Sequence, residues 1–309
     1  MQYVLLFAGS LALVIWGATL ATRASARLAE SFRLSKYVVG FVIVAFISIL
    51  PETLISISSA IGGVPAFGLG TLFGSNVADL SLIFAILIIA AGRGLKIESR
   101  ILKNVSTYPF FLLIPLILGL DGRYSRLEGV ALIVAGAIFY YSVFKNGVDA
   151  SAALRNGYDG RFRSVLLLLA SMFLLLVGAH LTVSSGTSLA RALGVDPILI
   201  GLLVVGLGTT MPELFYSLKA LARKDDGLAV GDILGSVLAD ATVVVGIVAL
   251  ISPFDFPVKI VSVTGAFMIT ASLLLLHFMK TGKIISKKEG YLLLGFWLAY
   301  VLIEFKVNT

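Results

Sequence analysis

The chain has 309 residues, 59% of them hydrophobic and 13% charged, with a mean hydropathy of +1.03, a formal net charge of +7 and no cysteine. So little charge and so much apolar content exclude a water-soluble fold with a covered core, and the absence of thiols excludes disulfides, thiolate metal sites and cysteine nucleophiles. A span needs roughly 20 apolar residues, so about ten spans would fill most of the chain and leave no room for a large soluble domain.

Apolar stretches at 3–22, 37–60, 66–91, 104–120, 127–144, 164–184, 197–218, 227–250, 259–279 and 290–305 predict ten membrane-spanning helices. They lack the strict alternation of membrane β-strands and are about twice as long. No basic residue precedes the first stretch, and it is too long for the core of a signal peptide, so it reads as the first helix. Residues 145–163, KNGVDASAALRNGYDGRFR, read as a solvated cytoplasmic linker. Of the 24 Lys and Arg residues, 19 fall in the five loops that follow odd-numbered stretches and five fall elsewhere. Basic residues accumulate in cytoplasmic loops, which places both termini outside. The +7 is then topogenic charge in contact with anionic lipid. Without interleaved aromatics, these short loops offer no platform for nucleic acid.

Residues 17–52, ending in FISILPE, align without a gap to residues 178–213, ending in GLGTTMPE. The same offset of 161 carries Gly40 onto Gly201, Gly74 onto Gly235, Ser75 onto Ser236 and Asp79 onto Asp240. Matches at Gly, Pro, Ser, Asp and Glu are not the chance similarity of greasy helices, so the chain reads as a duplication. Five helices per unit is an odd number, so the second unit enters the membrane from the opposite side. The expected fold is an all-α integral membrane protein of ten transmembrane helices in two inverted five-helix repeats. The first repeat spans 1–144 with its motif in 40–80, and the second spans 164–309 with its motif in 201–241. Such repeats hold their site at the interface between them, near the bilayer midplane.

Glu52, Asp79, Glu213 and Asp240 lie inside apolar stretches. A charge at membrane depth costs at least ~2.5–3.5 kcal/mol, and acids placed there mark ion or proton pathways. Pro51 and Pro212 supply no N–H to the carbonyls of Ile47 and Gly208, and carbonyls freed in this way can serve a cation. Ser48, Thr209, Ser75 and Ser236 each stand four residues before one of the acids, a spacing that shares a helix face. Hydroxyls, carbonyls and carboxylates form the ligand set of hard cations such as Ca²⁺ and Na⁺, whereas zinc and copper would want His or Cys. Gly70 with Gly74, and Gly231 with Gly235, have the small-x-x-x-small spacing of close helix packing. His180 and His277 have no ligand spacing and read as packed or interfacial. An intramembrane protease would need a fixed dyad rather than repeated hydroxyls, and no His-Glu-x-x-His occurs, so the chain does not read as an enzyme.

These residues resemble the cation/Ca²⁺ exchanger superfamily, in particular the prokaryotic Na⁺/Ca²⁺ exchangers. The resemblance rests on AFISILPET (45–53) with GTLFGSNVAD (70–79), and GLGTTMPEL (206–214) with GDILGSVLAD (231–240). It implies that Glu52 and Glu213 coordinate Ca²⁺, helped by Ser48 and Thr209. Sodium would use the same glutamates with Thr210, Ser75, Ser236 and the carbonyls near Ala45 and Gly206. The implied activity is antiport of Ca²⁺ against Na⁺ by one multi-pass chain in a prokaryotic plasma membrane. That chain would act as a monomer without a cofactor, its partners being inorganic cations and the lipid bilayer. The first motif departs from the family's Gly-Thr-Ser pattern at Ile47, Ser48 and Ile49, and Asp79 stands where an Asn is common. Both departures keep H⁺ open as the coupling ion. A passive cation channel is a third reading.

Overall fold

The computed structural model describes residues 2–29, 41, 44–97, 106–146 and 161–308. Most of the expected linker, the start of the second apolar stretch including Gly40, and the start of the fourth lie outside these residues. The chain is mostly helical: α1 Gln2–Ala29, α2 Ala45–Ser48, α3 Leu50–Ile61, α4 Pro65–Ala90, α5 Tyr108–Leu118 and α6 Arg126–Asn146 make up its first half. The second half holds α7 Arg161–Leu193, α8 at 197–209, α9 Met211–Ala222, α10 Asp226–Ile251, α11 Ile260–Lys280 and α12 Lys287–Asn308.

Among the described residues seven runs are long and apolar enough to cross a membrane: α4, α6, α7, α10, α11, α12, and α8 with α9 taken together as Pro197–Ala222. The stretches predicted at 3–22, 37–60 and 104–120 carry shorter apolar helices among the described residues. α1 and α7 outrun their apolar stretches, α1 reaching Ala29 and α7 running from Arg161 to Leu193, so helix extends into what reads as linker and loop.

Helix boundaries recur at the sequence offset. α3 starts at Leu50 and α9 at Met211; α4 starts at Pro65 and α10 at Asp226; their ends, at Ala90 and Ile251, are also 161 residues apart. The caps recur as well. Ser125 and Glu128 form a capping box before α6, the Glu128 carboxylate accepting from the Ser125 N–H at 2.7 Å, and Ser286 and Glu289 repeat it before α12 at 2.6 Å. Each box satisfies donors at a helix start that have no partner inside the helix.

Four two-residue strands tie the halves together. β1 Leu95–Lys96 pairs antiparallel with β4 Ile284–Ile285, and β2 Arg123–Tyr124 with β3 Phe254–Asp255. Each pair takes one strand from each half. α4 and α10 are buried nearly throughout and form the centre, while α6 and α12 turn apolar side chains such as Leu127, Leu292 and Leu302 outward. An apolar outer surface around a polar interior suits a chain whose solvent is lipid.

The packing is reciprocal where glycines bring backbones together. A Cβ on Gly74 would collide with the Leu202 carbonyl of α8, and one on Gly235 with the carbonyl of Phe41, 161 residues before Leu202. The Asp-bearing helices thus lie against the Glu-bearing ones, as the small-residue spacing predicts. α1 crosses α7 at a second such pair: Gly17 faces Leu174 and Leu175, and Gly178 faces Val14.

Candidate functional site

Each Pro-Glu motif begins a new helix. The chain breaks at Ile49 (φ −74°, ψ −2°) and at Thr210 (φ −76°, ψ −4°), and the proline is the second residue of the helix that follows. There its nitrogen has no helical bond to lose, so the proline starts α3 and α9 rather than kinking a continuous helix. Glu52 and Glu213 stand in the first turn of these helices and are buried.

Asp79 and Asp240 occupy a second kind of irregularity. Widened π-helical turns run over Asp79–Ile83 and Asp240–Val244 inside α4 and α10, each beginning at the acid. Such turns recur at functional sites because they re-aim a side chain and loosen the backbone ladder.

All eleven predicted site positions are buried. Glu52, Asp79 and Asp232 act electrostatically on Glu213, and Glu52 and Asp79 on Asp240, so the structure brings the four predicted acids into one region. One oxygen each of Glu52, Asp79, Glu213 and Asp240, and Oδ1 of Asn76, is buried without a hydrogen-bond partner. Among the described residues no Lys, Arg or His is buried. An orphan acceptor normally costs about 1–3 kcal/mol, more when charged, and such a group calls for a ligand.

Hydroxyls of one half lie beside acids of the other: Thr209 of the second half is next to Glu52 of the first, and the Ser48 hydroxyl of the first half lies 3.3 Å from Oδ1 of Asp232 in the second. The breaks at Ile49 and Thr210 fall between Ser48 and Glu52 and between Thr209 and Glu213. Ser75 and Ser236 turn back onto their own helices, donating to the carbonyls of Leu72 at 2.9 Å and Ile233 at 3.1 Å. Thr210 donates to Leu207 at 2.9 Å. The Ala45 carbonyl accepts from Ser48 and the Gly206 carbonyl from Thr209, both at 3.1 Å. Among the described residues no three His, Asp or Glu side chains close on one point as a finished metal cage.

Asp232 escaped the sequence reading. It stands inside the quoted motif GDILGSVLAD, but its counterpart is Thr71, so a search for repeated acids passes over it. The available signal was an acid inside an apolar stretch. A second buried acid, Glu304 of α12, accepts from Thr264 of α11.

Broken helices that converge, each carrying a buried acid with no buried base among the described residues, define a multi-pass membrane protein of an ion-handling class. The chain belongs to the sodium/calcium exchanger protein family, whose profile matches residues 2–145 and 163–306. That family comprises ion exchangers and is not an enzyme class. The chain is 30% identical to the uncharacterized membrane protein MJ0091 of Methanocaldococcus jannaschii over 293 residues, 93% of each protein. It is 24% identical to the sodium/calcium exchanger MaX1 of Methanosarcina acetivorans over 342 residues, covering 96% of this chain and 97% of that one. Among solved structures, the sodium-calcium exchanger NCX_Mj soaked with Na⁺ and Sr²⁺ is similar at a TM-score of 0.74 and 28% identity, over 97% of this chain and 98% of that one.

Proposed function

We propose that the protein is a secondary antiporter that exchanges Ca²⁺ for Na⁺ by alternating access around one shared site near the bilayer midplane. The observation that carries this reading is the set of buried carboxyl oxygens without partners at the two helix breaks and the two π turns, with no buried base among the described residues to neutralise them. Glu52 and Glu213 are the central Ca²⁺ ligands, assisted by Ser48 and Thr209. Sodium uses the same glutamates with Thr210, Ser75, Ser236 and the Ala45 and Gly206 carbonyls, while Asp79 and Asp240 border the site. Because both ions require the same carboxylates, each excludes the other. An empty site with uncompensated charge resists the change of access, so exchange follows from electrostatics.

In the proposed architecture, ten spans form two inverted repeats, 1–144 and 164–309, joined by the cytoplasmic linker 145–163, with both termini outside. The strand pairs support it. β1 and β4 follow the third and ninth predicted spans, both cytoplasmic in this topology, while β2 and β3 follow the fourth and eighth, both external. Each chain carries a whole site and works as a monomer in the plasma membrane.

A second reading keeps the fold and Ca²⁺ but couples to H⁺. It is favoured by Ile49, a buried side chain without a hydroxyl where the other half has Thr210. Ca²⁺ uptake into proteoliposomes, driven separately by sodium and pH gradients, decides between them. Uptake that follows the sodium gradient is the expected result, and indifference to sodium refutes the first reading.

A further inference from the structure

Asp232 lies in α10, one turn before Ser236, and is fully buried. Its two carboxyl oxygens face hydroxyls from two different helices: Ser48 at the end of α2 at 3.3 Å, and Ser217 of α9 at 3.5 Å. The equivalent residue of the first half is Thr71, whose hydroxyl closes onto the Phe67 carbonyl of its own helix at 3.0 Å. A second difference between the halves sits on the same side. α10 packs against α2, where Ile49 replaces the hydroxyl that Thr210 supplies beside α8. The interface of α4 with α8 is therefore lined by neutral oxygens, from Thr71, Thr209 and Thr210. The interface of α10 with α2 has lost a hydroxyl and gained a carboxylate. Asp79 and Glu213, each with a buried oxygen that has no partner, both lie within electrostatic range of Asp232.

We propose that Asp232 is a fifth carboxylate of the ion site, a specificity-determining residue that forms with Ser48 a ligand position favouring a divalent over a monovalent cation. The inference rests on the exchange reading above. A fixed carboxylate attracts Ca²⁺ twice as strongly as Na⁺ at equal distance and dielectric, because the energy scales with the product of the charges. A neutral hydroxyl supplies an oxygen without that bias, and Ca²⁺ sites are tuned by the number of charged ligands. Exchanging a hydroxyl at position 49 for a carboxylate at position 232 thus shifts one side of the site towards the divalent ion. The other half of the chain shows what the unshifted side looks like.

The test is equilibrium binding of radioactive Ca²⁺ to the purified full-length protein, with Na⁺ as competitor, in the wild type and in Asp232→Asn and Asp232→Thr. The threonine variant installs the residue that the chain itself uses at position 71 and is the second route should the asparagine variant fold poorly. Both variants should lose Ca²⁺ affinity roughly ten- to hundredfold, the range found when groups supporting a metal site are removed, with a much smaller change in the Na⁺ concentration that half-displaces the ion. Unchanged Ca²⁺ affinity in both folded variants overturns the inference. So does an equal loss for Ca²⁺ and Na⁺, which would mark a purely structural role. A wild-type protein that binds no Ca²⁺ refutes the exchange reading itself, an outcome distinct from either. As an independent arm, Ile49→Thr should strengthen Na⁺ competition without weakening Ca²⁺ binding; a variant indistinguishable from wild type counts against the two-sided account.

Discussion

Glu52 and Glu213 occupy the one part of a helix where an acid inside a membrane has local help. The first turn presents N–H groups with no partner inside the helix and the positive end of its dipole, together worth about 0.3–1 kcal/mol for an anion. That is less than the cost of placing the charge there, and in the proposed reading a bound cation supplies the remainder. Glu52→Gln and Glu213→Gln should each abolish Ca²⁺ flux in proteoliposomes while leaving the thermal unfolding midpoint equal to or above that of wild type. Wild-type flux in both variants would refute the central assignment. The glycines make a separate, purely steric prediction. Gly74→Ala sets a methyl group against the Leu202 backbone and Gly235→Ala against that of Phe41, whereas a Cβ at Gly295 meets nothing within 4 Å. Overpacking costs about 1–3 kcal/mol, so the first two variants should unfold at lower temperature in detergent, and Gly295→Ala should match wild type.

At the scale of elements, each half has a break before its glutamate and a π turn at its aspartate. The break falls between Ser48 and Glu52 and between Thr209 and Glu213, and each hydroxyl also lies beside an acid of the opposite half. Spacing in the sequence cannot show these contacts, because i,i+4 reasoning sees only neighbours on one helix. A partly buried ion pair also joins the halves. Arg93, in the loop after α4, holds Asp226 at the start of α10 through two bonds of 2.6 Å, and the Lys96 N–H adds a third at 2.9 Å. Its counterpart positions in the other half are Phe254 and Pro65, so the pair is present on one side only. The Arg93 side chain is 36% exposed and that of Asp226 8% exposed. Screening therefore limits the pair to about 1 kcal/mol. Arg93→Ala should lower the unfolding midpoint by a few degrees, with the gap from wild type narrowing in high salt. A gap that persists in molar salt would mean that the loss is one of packing rather than charge.

For the whole molecule, the testable claim is the orientation of the halves. The chain contains no cysteine, so single cysteines report without background. Arg123 and Asp255 are exposed on the paired strands β2 and β3, and Lys288 is exposed at the start of α12. In the proposed topology, a membrane-impermeant maleimide added to intact cells labels Arg123→Cys and Asp255→Cys but leaves Lys288→Cys unlabelled until the cells are opened. Labelling of all three from one side would break the inverted-repeat reading.

Composition alone announced a membrane chain, because 13% charge cannot cover a core of this size. The offset of 161 residues showed Gly, Pro, Ser and acid positions recurring through the chain, and helix boundaries recur at the same offset. The four repeated acids were legible for the same reason: a carboxyl in an apolar run is costly wherever the run folds. Only the tertiary structure decided the rest. It set Gly74 against Leu202 and Gly235 against Phe41, gave Ser48 to Asp232 and Thr209 to Glu52, and drew Asp232 into the cluster. These are contacts between segments far apart in the chain, set by how helices pack once breaks and close approaches have aimed them. Local periodicity carries no information about such contacts, and an acid without a twin in the repeat becomes visible only when its neighbours are in place.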